Sequence, residues 1–126
     1  NPGETLEQRI QRMQYYLSAN FIPSMFIAVN NDQLLGTAAI VEHDMETHQE
    51  LSPWLASVFV DPLYRRQGTG SALVKHVLLQ AEYRAVEKLS LFTPDKENFY
   101  RRFGWSVLSR ETYHDEQIVI MQKHLK

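Results

Sequence analysis

The spacing of apolar residues predicts an amphipathic helix near the start of the sequence. Leu6, Ile10, Met13 and Leu17 recur at spacings of four, three and four, which places them on one face of a helix. The Thr-x-x-Gln sequence at residues 5–8 has the spacing of a capping box and supports a helix start there. We therefore predict one helix through these residues.

The next part of the sequence has the pattern of strands. Apolar runs at 25–29 and 34–41 flank a polar turn at 30–33, which predicts a β-hairpin. Residues 42–52 are polar and acidic, and we expect a loop. A third run, Trp54 to Val60, is rich in β-branched and aromatic residues and predicts another strand.

From Thr69 the period changes back to that of a helix, which we expect to end near residue 84 or 85. Its apolar face comprises Leu73, Val74, Val77, Leu78 and Ala81. A short strand at 89–92 follows, then a helix start at Thr93 and Pro94, with Gly104 just beyond the helix end. The runs 105–108 and 117–121, joined through 114–116, predict the last two strands. This order predicts a mixed sheet with helices packed on it.

Composition excludes several classes of function. A sequence of 126 residues predicts a single domain, 1–126, and a net charge of −2 argues against nucleic acid as the main partner. The sequence contains no cysteine, and its five histidines lack zinc-site spacing, so we expect no metal. No apolar run approaches the ~20 residues of a membrane span, and the first residues lack a signal-peptide pattern. We expect a cytoplasmic protein that does not bind membranes.

Two glycines separate the strand that ends at Val60 from the helix that begins at Thr69. Backbone N–H groups at a helix N-terminus bind phosphate, so this turn is either a pyrophosphate cradle or an ordinary tight turn. A dinucleotide fingerprint would need a third glycine where the sequence has Leu73, and the Gly-Lys-Ser/Thr ending of a P-loop occurs nowhere.

The turn resembles a known signature. Arg65-x-x-Gly68-x-Gly70, preceded by Val60-x-Pro62, resembles the acetyl-CoA signature of the GNAT superfamily of N-acetyltransferases. A second block, Phe99-Tyr100-x-x-x-Gly104-Trp105, is similar to the family's Tyr-x-x-x-Gly-Phe block, although the family's Asn and small residue fall at Thr93 and Lys96.

The order of elements from Thr5 onward is also similar to the GNAT fold. The resemblance implies an α/β (α+β) fold with a mixed, mostly antiparallel sheet of about six strands and three to four helices. Family members usually begin with a strand before the first helix, and no such strand is predicted here. The sheet would then have an exposed edge or a partner's strand covering it, which leaves a homodimer open.

The resemblance implies that acetyl-CoA is the cosubstrate and assigns its contacts. It implies that the strand from Trp54 to Val60 pairs with the pantetheine arm and that the backbone N–H groups of residues 66–71 hold the pyrophosphate. It also implies that Arg65 or Arg66 adds positive charge near the phosphates. The implied acetyl-CoA contacts are Val58, Phe59, Val60, Arg65, Arg66, Gln67, Gly68, Thr69, Gly70, Ser71, Asn98 and Phe99.

The implied reaction is transfer of the acetyl group to a primary amine by direct attack in a ternary complex. Tyr100 protonates or stabilises the departing CoA thiolate. The strand from Trp54 to Val60 carries no Asp or Glu, so we expect a water chain to the base. Its candidate ends are Glu42, His43, Asp44 and His114.

The acceptor stays open between a small molecule and a peptide amine. His43, Asp44 and Trp54 are the candidate acceptor-binding residues, with a core position as the alternative for Trp54. An alternative function on the same fold is a non-catalytic acyl-CoA-binding or sensor module, which the absence of a strand carboxylate favours.

Overall fold

The computed structural model describes residues 12–17, 19, 21–31, 33–64 and 68–125. The strands are β1 (Arg12–Leu17), β2 (Ser24–Asn30), β3 (Gln33–Val41), β4 (Trp54–Val60), β5 (Lys88–Thr93), β6 (Ser106–Tyr113) and β7 (Glu116–His124). The helices are α1 (Thr69–Tyr83) and α2 (Glu97–Arg101), and short 3-10 turns lie at Gln49–Leu51 and Pro62–Tyr64.

All seven strands belong to one sheet with the order β1-β2-β3-β4-β5-β7-β6. The β4–β5 pair is parallel and the other pairs are antiparallel, which confirms the predicted mixed, mostly antiparallel sheet. Within the described residues the sheet contains seven strands, close to the predicted number of about six. The described residues contain two α-helices, so the prediction of three to four is wrong for this part of the chain.

The first predicted helix is wrong at its C-terminal end. Residues Arg12–Leu17 form β1, which pairs antiparallel with β2 from Met13 opposite Ala28 to Leu17 opposite Ser24. Pairing with a neighbouring strand has overridden the helical spacing of the apolar residues, as tertiary contacts often do. The start of that helix lies outside the described residues. The edge expected to be exposed or covered by a partner is therefore paired with β1 of the same chain.

Helix α1 confirms the predicted amphipathic pattern. Its buried face comprises Thr69, Leu73, Val74, Val77, Leu78 and Ala81. This face packs on the sheet together with Phe26, Leu35 and Leu91, all at most 2% exposed. Gly36 permits the close approach, because a Cβ there would lie 2.8 Å from Leu73 Cδ1 and 2.6 Å from a β4 carbonyl oxygen. The core thus fixes the helix N-terminus beside the end of β4.

The opposite face of the sheet carries a smaller apolar cluster covered by the loop at 42–53. Met45, Trp54, Ile118 and Ile120 form this cluster. Ser90 Oγ donates a hydrogen bond of 2.7 Å to the Leu51 carbonyl oxygen, which ties the loop to β5. Neither described helix is long and apolar enough to cross a membrane.

Candidate active site

A bulge separates the two halves of β4. The register with β3 passes from Thr37 opposite Phe59 to Ala39 opposite Ala56, so β4 contains one extra residue. Ser57 has φ of 54°, and its carbonyl oxygen accepts a hydrogen bond of 2.8 Å from Thr37 Oγ1. Bulges bend a strand and increase its twist.

Strands β4 and β5 are joined at one end. Among the described residues, their ladder consists of the pair Trp54 and Ser90, supported by a 3.0 Å bond from Ser90 N to the Pro53 carbonyl oxygen. Beyond this pair the ladder does not continue, so the two strands leave a slot between them.

The turn after β4 delivers the chain to the N-terminus of α1. Asp61 Oδ1 accepts a 2.9 Å hydrogen bond from the Leu63 amide, which stabilises the turn at Pro62. Gly68 precedes the helix with φ of 85°, a left-handed conformation that favours glycine. The first helical hydrogen bond is the 3.0 Å bond from Ala72 N to Gly68 O. The N–H groups of the three preceding helical residues, 69–71, therefore have no helical acceptor.

A groove of about 740 Å³ lies between the end of β4, the N-terminus of α1 and helix α2. We call it the glycine groove. Its lining residues are Val58, Phe59, Val60, Gly68, Thr69, Gly70, Ser71, Asp95, Lys96, Phe99, Tyr100 and Arg102. Gly70 faces across the groove, since a Cβ at this position would lie 3.4 Å from Val60 Cγ2 and 3.6 Å from Phe99 Cζ. The missing side chain keeps the narrow part of the groove open.

Tyr100 reaches the glycine groove from a buried position on α2, with 6% of its surface exposed. Its ring makes edge contacts with Phe99 at 5.0 Å and with Trp105 at 6.0 Å between centroids. Burial raises the pKa of Tyr100 to about 12, and the negative charge of Asp95 contributes to the rise. Tyr100 therefore keeps its proton at physiological pH.

The structure brings together most of the predicted site residues. Those that line the glycine groove are Val58, Phe59, Val60, Gly68, Thr69, Gly70, Ser71, Phe99 and Tyr100. Arg65, Arg66 and Gln67 lie outside the described residues. Asn98 is exposed and lines a neighbouring groove instead.

The candidate acceptor residues lie elsewhere. Trp54 is fully buried in the cluster beneath the loop at 42–53, which favours the core position over a place in an acceptor pocket wall. His43 and Asp44 are exposed on that loop and do not line the glycine groove. Partial desolvation of the Asp44 carboxyl by its surroundings raises the pKa of this exposed residue. His114 lies at the β6–β7 turn, and its Nε2 atom is 3.8 Å from Glu46 Oε1.

Three groove residues were missed by the sequence analysis, namely Asp95, Lys96 and Arg102. Helical spacing could have found two of them, because residues 96, 99 and 102 follow one another at intervals of three and share a face. The Arg102 guanidinium lies 5.7 Å from the centroid of the Phe99 ring, a cation–π arrangement that holds it against the groove wall.

A second groove of about 420 Å³ lies on the other side of α2. Its lining residues are Pro94, Asp95, Glu97, Asn98, Arg110, Gln117, Ile118 and Val119. Glu97 accepts two hydrogen bonds from Arg110, at 2.7 and 3.0 Å, and one of 2.9 Å from Arg101. The bonds from Arg110, followed by that from Arg101, lower the pKa of Glu97 to about 2. Asp95 is common to both grooves.

Comparison with known proteins identifies the family. Residues 22–107 match the family model described as the acetyltransferase (GNAT) domain. No curated protein sequence matches the chain significantly.

The solved structures that resemble this fold include several acetyltransferases. The ribosomal-protein-S18-alanine N-acetyltransferase from Escherichia coli is 24% identical with a TM-score of 0.68, over 94% of this chain and 84% of that one. A GNAT-family acetyltransferase from Streptococcus pneumoniae has a TM-score of 0.70 at 16% identity, over 86% and 70% of the two chains. A GNAT-family acetyltransferase from Elizabethkingia anophelis with acetyl-CoA bound has a TM-score of 0.61 at 16% identity, over 81% and 76%. Because the family model covers most of the sequence, the chain belongs to the GNAT acetyltransferase family.

Proposed function

We propose that this chain is an N-acetyltransferase that transfers the acetyl group of acetyl-CoA to a primary amine by direct attack in a ternary complex. The observation that carries the proposal is the glycine groove, which combines the N-terminus of α1 with Tyr100 in one cavity. Helix N-termini of this kind are suited to binding phosphate. Membership of the GNAT family supports acyl transfer from an acyl-CoA. The acetyl-CoA bound to the similar Elizabethkingia anophelis enzyme supports acetyl as the group transferred.

The residues of the glycine groove fit acetyl-CoA. The N–H groups of 69–71 would hold the pyrophosphate, and Gly70 leaves space that a side chain would fill. Lys96 and Arg102 on the facing wall would add positive charge near the phosphates. The stretch of β4 from Val58 to Val60 lines the groove beside the slot and would bind the pantetheine arm.

Acetyl-CoA supplies an activated thioester, and Tyr100 acts at its sulfur. A simple thiol has a pKa of ~8.5, so full proton transfer from a tyrosine of pKa about 12 would cost about 5 kcal/mol. A hydrogen bond from the Tyr100 hydroxyl to the developing thiolate avoids that cost. We therefore assign Tyr100 to stabilising the leaving group, and the thiolate takes its proton from the reacting amine or from water.

A non-catalytic acyl-CoA-binding module is the second candidate function. It is favoured by the position of the candidate bases, since none of Glu42, His43, Asp44 and His114 lines the glycine groove. Strand β4 also carries no carboxylate.

Release of free CoA in the presence of an amine separates the two functions. The chain contains no cysteine, so a thiol-reactive chromophore measures CoA without a protein background. We expect CoA release that depends on both acetyl-CoA and an amine from a panel of amino acid amides, peptides, amino sugars and polyamines. Acetyl-CoA binding without release by any amine would favour the binding module.

A further inference from the structure

We propose that the second groove binds the acceptor, with Asp95 holding the ammonium group of a primary amine whose remaining part is uncharged and polar. This inference rests on the proposed acetyltransferase function. It assigns the chemical class of the acceptor and adds a binding residue, Asp95, that the sequence analysis did not single out.

The position of Asp95 connects the two grooves. Asp95 lines the glycine groove together with Tyr100 and lines the second groove together with Asn98. Its side chain is exposed, so a ligand in either groove can contact the carboxylate. The negative charge of Asp95 contributes to the raised pKa of Tyr100, which is consistent with their shared place in the lining of the glycine groove. An amine bound at Asp95 would therefore lie at the end of the glycine groove where the thioester meets Tyr100.

Among the charged residues that line the second groove, one carboxylate can pair with a bound cation. Glu97 and Arg110 form a two-hydrogen-bond ion pair, so neither offers its full charge to a ligand. Within the described part of the chain, no Lys, Arg or His nitrogen lies within 4.0 Å of the Asp95 carboxylate. Lys96 lines the glycine groove and not the second groove. Asp95 is therefore the carboxylate available to an ammonium group.

The rest of the second groove matches an uncharged polar tail. Asn98 and Gln117 are exposed and offer amide donors and acceptors. Because both terminal nitrogens of Arg110 already bond to Glu97, Arg110 would attract a carboxylate on the acceptor less than an unpaired arginine would. A second ammonium would find no second available carboxylate. The groove therefore selects for one ammonium group and an amide-like or hydroxyl-bearing tail.

The reaction balances with Asp95 as a binding residue. The bound ammonium loses one proton to water, the amine nitrogen forms a bond to the acetyl carbon, and the carbon–sulfur bond breaks. The second nitrogen proton ends on the CoA sulfur, directly or through water. The products are an N-acetyl amide, CoA and the released proton.

Asp95→Asn tests the proposal with three probes that share a primary amine. Glycinamide has a neutral amide tail, glycine a carboxylate tail, and 1,4-diaminobutane a second ammonium. We expect the wild-type chain to acetylate glycinamide with the highest kcat/KM. Asp95→Asn should raise the KM for glycinamide about tenfold or more, because it removes an ionic hydrogen bond, and should leave the affinity for acetyl-CoA within about twofold.

Two control variants test whether the rise in the KM for glycinamide is specific to Asp95. Glu116→Gln changes an exposed carboxylate at the start of β7 and should leave both constants unchanged. Asp44→Asn changes the rival carboxylate on the loop at 42–53. An unchanged KM for glycinamide in Asp95→Asn, or a rise caused by Asp44→Asn instead, would overturn the proposal.

A binding readout tests the same site without turnover. In the CoA-saturated chain, titration with glycinamide should shift the side-chain NH₂ resonances of Asn98 and Gln117 in a saturable manner. Shifts confined to the loop at 42–53 would overturn the proposed site while the acetyltransferase proposal stands. Failure of the wild-type chain to bind acetyl-CoA at all would instead defeat the proposed function.

Discussion

Replacing Tyr100 with phenylalanine separates two roles for the hydroxyl group. The phenyl ring keeps the edge contacts with Phe99 and Trp105, so the change removes the hydroxyl with little effect on packing. A hydrogen bond to a charged group contributes about 1.5–3 kcal/mol. At 1.36 kcal/mol per tenfold change in rate, its loss predicts a fall in kcat of about 10- to 150-fold. A general acid would be worth up to about 10⁴-fold.

The assay compares kcat from amine-dependent CoA release with the acetyl-CoA Kd from calorimetry. We expect kcat to fall and Kd to stay within about twofold, since the hydroxyl acts after the cosubstrate is bound. The pKa of about 12 further predicts that the ratio of wild-type to variant kcat stays constant from pH 7 to pH 10. Tyr83→Phe is the matched control, because Tyr83 is 83% exposed. An unchanged kcat in Tyr100→Phe would remove Tyr100 from the mechanism.

Three further changes test the fold and the groove. Gly36→Ala would place a Cβ 2.6 Å from the Phe59 carbonyl oxygen and should lower the free energy of unfolding by about 1–3 kcal/mol. The loss should appear as a lower midpoint of urea unfolding, and an unchanged midpoint would refute this packing. The hydrogen bond with Glu111 raises the pKa of His48, and bonds from Ser109 and then His48 lower that of Glu111. Their pairing therefore stabilises the fold below the unfolded pKa of His48 and is lost as pH rises through its raised value. On the acid side the stabilisation is fully present above the unfolded pKa of Glu111 and is lost as pH falls through the lowered pKa of the folded state. Glu111→Gln should thus lower Tm most between about pH 4.5 and 6.5, and an equal loss at pH 9 would contradict the assignment. Gly70→Glu should abolish acetyl-CoA binding in a folded chain, because a negative side chain would fill the phosphate space.

Local patterns predicted the elements around the glycine groove. The run of β-branched and aromatic residues gave β4 with the bounds observed, Trp54–Val60, and the apolar spacing gave the buried face of α1. Each of these two patterns lies within a single strand or helix, so no contact with a distant residue is needed to recognise it. The predicted helix start at Thr93 and Pro94 is wrong by three residues, because α2 begins at Glu97; Thr93 Oγ1 accepts a hydrogen bond from Lys96 N in the turn before the helix instead of capping it. The φ of 91° at Gly104 fits its predicted place just beyond the helix end.

Elements whose structure depends on contacts with residues distant in the sequence could not be predicted from local patterns. Residues Arg12–Leu17 pair with β2, and no local pattern reports that contact. Strand β6 extends to Tyr113, beyond the predicted 105–108, because residues 109–113 are mostly polar and alternate between half-buried and exposed at a sheet edge. Asp95 is a similar case, since its position between two grooves depends on how α2 packs against β6, where Glu97 pairs with Arg110.

Calorimetric titration with acetyl-CoA tests the central claim most directly. We predict saturable one-to-one binding by the wild-type chain, with a Kd between about 1 μM and 1 mM, the range usual for enzyme substrates. Gly70→Glu, checked for folding by circular dichroism, should show no binding. Absence of binding by the folded wild-type chain, or equal affinity in the variant, would contradict the glycine groove as the acetyl-CoA site.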